Sequence, residues 1–77
     1  MRREFIDEDL LTWEVHSSTG RFGLPEGGRL VFLCTTDPLR RPRYVPFAGD
    51  VAEAEAAVAD LDDDRLRALL RESHQLQ

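Results

Sequence analysis

The side chains with intrinsic catalytic or metal-binding chemistry are few: one thiol, two imidazoles and an acidic run. Cys34 closes the apolar stretch Leu30-Val-Phe-Leu-Cys34, where a thiol serves as a small, inert hydrophobe. His16 falls on the polar side of an alternating segment, and His74 stands three residues before Gln77. No spacing pairs the thiol with an imidazole, and these three residues cannot build a metal cage. Ser17, Ser18 and Thr19 have no base nearby in sequence. The inventory points away from an enzyme and implies no cofactor and no metal.

The run Asp60-Leu-Asp-Asp-Asp64 has carboxylates at alternate positions, as the first ligands of a calcium loop would be. Arg65 stands where that loop needs glycine, and Arg71 where it needs the closing bidentate carboxylate. A capped helix start accounts for the same residues. Gly20, Gly23, Gly27 and Gly28 match neither a dinucleotide fingerprint nor a Walker loop. They lead into a strand instead of a helix N-terminus, and there is no lysine to reach a phosphate.

That leaves Arg40-Arg-Pro-Arg-Tyr44, with Arg29 across the expected ladder. Arginine and tyrosine are enriched at protein-interface hot spots. They also suit phosphate contact and base stacking, and arginines can simply protect an exposed sheet edge. The chain's formal net charge of −5 disfavours the nucleic-acid use, because its summed field repels phosphates. The expected contact surface is therefore Arg40, Arg41, Arg43 and Tyr44, with Phe22 and Leu24 at its rim, directed at another protein.

The charge is unevenly laid out. Residues 1–49 hold seven arginines and seven acids, whereas residues 50–77 hold three arginines and eight acids. All ten basic residues are arginine, a bias that speaks of codon supply in a GC-rich genome. Seventy-seven residues make a single small domain, 1–77, with a β-rich half (1–49) and a helical half (50–77). Such a chain buries only about 60–65% of its unfolded surface, so a homodimer or a partner is a natural way to enlarge the core. One cysteine excludes an internal disulfide. No apolar run approaches the roughly 20 residues of a membrane span, and Met1-Arg-Arg-Glu4 does not open a signal peptide. The expectation is a cytoplasmic protein with no membrane partner.

The elements that must position these side chains follow from periodicity. Arg2–Ile6 and Leu11–Ser17 read as a hairpin around an Asp7-Glu-Asp9 turn, with Leu11, Trp13, Val15 and Ser17 facing the core. Ser18–Gly28 carries four of the five glycines and reads as a loop pinned by Phe22 and Leu24. Arg29–Thr36 has apolar residues of both parities, as a central strand covered on two sides would. In Arg41–Phe47, Pro42 and Pro46 remove donors of one parity, which predicts an edge strand paired to 29–36.

From Gly49 the period becomes helical. Asp50 is the expected cap of a helix with the stripe Val51, Ala54, Val58, Leu61. Asp62 caps a second helix, with Leu61 and Leu66 as a staple, Leu66, Leu69, Leu70 and Ser73 inward, and Arg65, Arg67 and Arg71 outward. Residues His74 to Gln77 are expected to fray.

Phe5-Ile-Asp-Glu-Asp9, Trp13-Glu-Val15 and Leu61-Asp-Asp-Asp-Arg-Leu-Arg-Ala-Leu-Leu70 together resemble small uncharacterised proteins of GC-rich bacteria, a domain of unknown function. There the acidic turn is usually closed by glycine, where this chain has Leu10. The resemblance implies a bacterial origin and carries no activity, ligand or site residue.

The sequence thus predicts an α+β domain: three or four antiparallel strands, flat or curled into a barrel-like sheet, followed by two short C-terminal helices. It points to a non-enzymatic interaction or regulatory module that meets another protein or a second copy of itself. The alternative is a nucleic-acid-binding accessory protein using the strand from Arg40 to Tyr44.

Overall fold

The computed structural model describes residues 2–18, 28–48 and 51–75. Five strands, β1 (Arg2–Ile6), β2 (Thr12–Ser18), β3 (Gly28–Cys34), β4 (Arg43–Phe47) and β5 (His74–Gln75), form one antiparallel sheet in sequence order. Helices α1 (Val51–Asp60) and α2 (Asp63–Glu72) intervene between β4 and β5. The α+β architecture is the expected one. The sheet does not close into a barrel, and it has five strands where three or four were expected.

Alternation decides which face the helices cover. Phe5 stands opposite Trp13, Val15 opposite Phe32, and Leu30 opposite Val45. All six point to the helices and are buried, together with Ala54 and Val58 of α1 and Leu66 of α2. Each of the larger apolar side chains contributes about 1.5–3 kcal/mol by leaving water. Phe5 and Phe32 meet edge to face at 6.0 Å, a geometry that suits the ring quadrupoles. Trp13 thus belongs to the helix-covered core and does not wrap the other face.

β3 is the central strand, as its two apolar parities require. Its second parity faces away from the helices, yet Val31 is only 8% exposed there, between His16 and Tyr44 in the ladder. The expected cover from Phe22 and Leu24 lies outside the described residues, as does the expected cap Asp50.

The C-terminal end overturns an expectation. Ser73 ends α2 in an extended conformation and donates its N–H to Leu70 O at 3.1 Å. Arg43 then fixes it, donating Nε to Ser73 Oγ (2.7 Å) and a terminal nitrogen to Ser73 O (2.5 Å). With the helix exit held in this way, His74 and Gln75 run along β4 opposite Tyr44 and Arg43 instead of fraying. β4 is therefore not the outermost strand along its first half. The segment from Val45 to Phe47, which contains Pro46, extends beyond the two-residue pairing with β5. A proline with no donor to offer fits that position.

Arginines tie the helices to β1. Arg3 donates to the carbonyls of Val58, Ala59 and Leu61 at the end of α1, and reaches Asp63 Oδ1 at 2.8 Å. A cation there complements the negative end of the helix dipole. Arg67, expected to point outward, turns back instead: its Nε donates to Ile6 O at 2.6 Å while Nη1 holds Asp64. A charged side chain over the carbonyl that ends β1 also blunts that sheet edge. Among the described residues, no helix is long and apolar enough to cross a membrane.

Candidate functional site

Two turns lie at the same end of the sheet, where β1 meets β2 and β3 meets β4. Each is stapled by an aspartate. Asp7 Oδ1 accepts the N–H of Asp9 (2.8 Å) and of Leu11 (2.9 Å), and its Oδ2 accepts the Trp13 indole N–H (2.7 Å). Burial pushes the Asp7 carboxyl upward, but the hydrogen bonds from Leu11, Trp13 and Asp9 and the charge of Arg40 outweigh it. The net result is a carboxyl held below its ordinary value. In the second turn Asp37 Oδ1 accepts Leu39 N–H at 3.0 Å, and Arg40 N–H closes on Asp37 O at 3.1 Å. Such aspartate-centred turns fix the backbone without a glycine.

What the turns present is unusual. Leu10 is 81% exposed and Leu39 is 90% exposed. Leu10 also has φ of 66°, the left-handed region that glycine would occupy freely. The turn is tight nonetheless, closed by Leu10 N–H donating to Asp7 O at 3.1 Å. Ile6, 49% exposed, sits beside it at the end of β1, so every large hydrophobic side chain exposed among the described residues lies at this pole.

Beside the second turn lies a cavity of about 300 Å³, lined by Asp37, Leu39, Arg40, Arg41, Arg43 and Gln75, with the buried Trp13 beneath. A second hollow shares Trp13, Arg40 and Arg43 and continues toward Asp7, Glu8, Asp9, Arg67, Leu70 and Arg71. Arg71 bonds Glu8, and Arg40 lies 3.7 Å from Asp37. Arg43 places Nε and one terminal nitrogen on Ser73, a neutral partner. Arg41 is exposed, and among the described residues no hydrogen bond or ion pair engages its side chain.

The arginine–tyrosine segment is thus divided. Arg40 and Arg41 stand at the pole, and Arg43 anchors the helix exit behind them. Tyr44 faces the opposite, helix-free side, with the Arg29 guanidinium 4.7 Å from its ring centre and the His74 ring 5.8 Å away. Phe22 and Leu24 lie outside the described residues. Cys34 faces the helices, across the ladder from Trp13, whereas His16 and His74 are on the other side of the sheet. Asp62 is the cap of α2, accepting Arg65 N–H at 2.8 Å, and its neighbours Asp63 and Asp64 bind Arg3 and Arg67. Among the described residues no group of three or more His, Cys, Asp or Glu side chains converges as metal ligands would.

Leu10 and Leu39 carry no reactive group, so side-chain chemistry does not single them out. Their signal was local: a leucine at each point where an Asp-led turn ordinarily carries a small or polar residue. No family model, curated protein or solved structure matches this chain.

Proposed function

We propose that this protein is a non-enzymatic interaction module, working in the cytoplasm, that binds another protein through the pole formed by Leu10, Leu39, Arg40 and Arg41. The observation that carries this reading is the exposure of a leucine on each of two hydrogen-bonded turns at one end of the sheet, the second turn bordering a cavity walled by arginines. Exposed apolar side chains scattered singly mean little, but grouped ones rimmed by polar residues mark interaction sites. The aspartate staples hold the leucines in place before binding, which lowers the entropy lost on association. The separation of Cys34 from both imidazoles supports the non-enzymatic part.

The test is recovery of the tagged chain from its own host at native abundance, beside a Leu39→Ser, Arg41→Glu variant. A protein retained in stoichiometric amount on the wild type and lost on the variant supports the proposal. Equal recovery on both, or a chain that only binds itself, refutes it.

A second reading rests on the helix-free face, where Arg29, Tyr44 and His74 stand together. A cation stacked on an aromatic ring is the kind of platform on which nucleobases rest. Binding of single-stranded RNA or DNA there would weaken log-linearly with salt, by nearly one unit of slope per phosphate contacted. No binding at low salt eliminates it.

A further inference from the structure

We infer that the partner's docking segment is acidic and amphipathic, with a carboxylate side chain entering the cavity between Arg40, Arg41 and Arg43 while adjoining apolar side chains cover Leu39 and Leu10. This rests on the proposed interaction role and specifies its chemistry.

Charge supplies the first argument. The cavity wall carries three arginines against one carboxylate, Asp37, while Asp7, Glu8 and Asp9 line the adjoining hollow and Asp7 feels the charge of Arg40. Asp37 is already engaged, accepting the Leu39 N–H and lying beside Arg40. Among the described residues Arg43 is bonded to the neutral oxygens of Ser73, which leave its charge uncancelled. Arg41 has no partner among the described residues. Arg40 is balanced by Asp37 and Asp7, so the cationic wall that meets an incoming anion is the one formed by Arg41 and Arg43. Guanidinium groups match carboxylate geometry in particular, because two parallel N–H donors meet two oxygens.

The apolar surroundings favour an anion borne on a peptide. About 300 Å³ of open hollow admits a carboxylate side chain together with part of the backbone that carries it. The apolar rim has no role for a free inorganic anion, whereas a peptide brings side chains to both turns at once. Leu10 sharpens the point. Its left-handed backbone carries strain that glycine would avoid, and its exposed side chain gives the isolated fold little in return. Retaining leucine there is understandable if the side chain is covered in a complex.

A random peptide display library selected on the intact chain tests this directly. The expected outcome is enrichment of peptides that place Asp or Glu next to Leu, Ile, Val or Phe. The best such peptide, synthesised and titrated, should bind at least about tenfold more weakly to Arg41→Glu and to Leu39→Ser, each with an unchanged circular dichroism spectrum. It should also bind more weakly to Leu10→Gly, and millimolar inorganic phosphate should compete poorly. Enriched peptides that depend on Leu39 but lack acids would overturn the acidic partner and leave the interaction role standing. Binding displaced by millimolar phosphate would overturn it in favour of a phosphate ligand. Peptides indifferent to all three substitutions, or no enrichment at all, would overturn both.

Discussion

Replacing Leu10 separates what that residue costs the fold from what it offers a partner. An L-residue in the left-handed region carries about 1–2 kcal/mol of steric strain. Glycine removes that strain but adds conformational freedom to the unfolded chain, which returns about 0.4–1 kcal/mol of the gain. The side chain is 81% exposed, so deleting it forfeits only about a fifth of the burial available to a leucine. That amounts to about 0.3–0.6 kcal/mol. Leu10→Gly therefore balances near a small gain in stability, about 0.3 kcal/mol.

Leu10→Ala keeps the strain and loses the same contact, so it should be less stable than the parent by about 0.5 kcal/mol. The informative quantity is the difference between the two variants, about 0.8 kcal/mol in favour of glycine. In a domain of this size that is a gap of roughly 3–6 °C in midpoint temperature, readily seen in thermal melts followed by circular dichroism. An alanine variant as stable as the glycine variant, or more so, would refute the strained-turn reasoning.

Three further substitutions probe the supports of the pole. Asp7→Ala removes the acceptor of three N–H donors and should cost about 2–4 kcal/mol in urea denaturation. Because the folded carboxyl lies below its unfolded value, its contribution is present above the unfolded pKa and fades as pH falls through the folded one. The parent's acid destabilisation should accordingly be steeper than the variant's. Arg43→Ala, which a purely surface-exposed arginine would tolerate within about 0.5 kcal/mol, should here cost about 1–3 kcal/mol because Ser73 loses its charged donor. In α2, Leu66→Ala should cost about 2–5 kcal/mol, and the half-buried Leu70→Ala clearly less, about 1–2 kcal/mol. Equal losses at the two positions would mean that the helix face is rotated from its observed placement.

Much of this architecture was legible because period-two and helical patterns each have only one sensible way to bury their apolar residues. Trp13 and Val15 announced the inner face of β2, and Asp62 with Leu66 announced the start of α2. The arginines were harder to place, since a guanidinium satisfies many acceptors and its stem lies along apolar surface. Arg3 and Arg67 therefore went inward to carbonyls at element ends, where composition alone suggests solvent. The same effect hid β5: His74-Gln75 has no strand pattern of its own and is held by Arg43 and the extended Ser73. The expected contact surface treated 40–44 as one unit, but strand alternation sent Arg43 and Tyr44 to opposite faces. Leu10 and Leu39 have no reactive group, so only their exposure and backbone brought them into view.

The most direct test of the interaction pole is chemical-shift mapping of the isotopically labelled chain during titration with the partner recovered from its host. The account predicts that the largest changes fall on residues 7–11, 37–43 and the side chain of Trp13, with Tyr44 and His16 little affected. Changes centred on Arg29, Tyr44 and His74, with Leu10 and Leu39 unmoved, would contradict it.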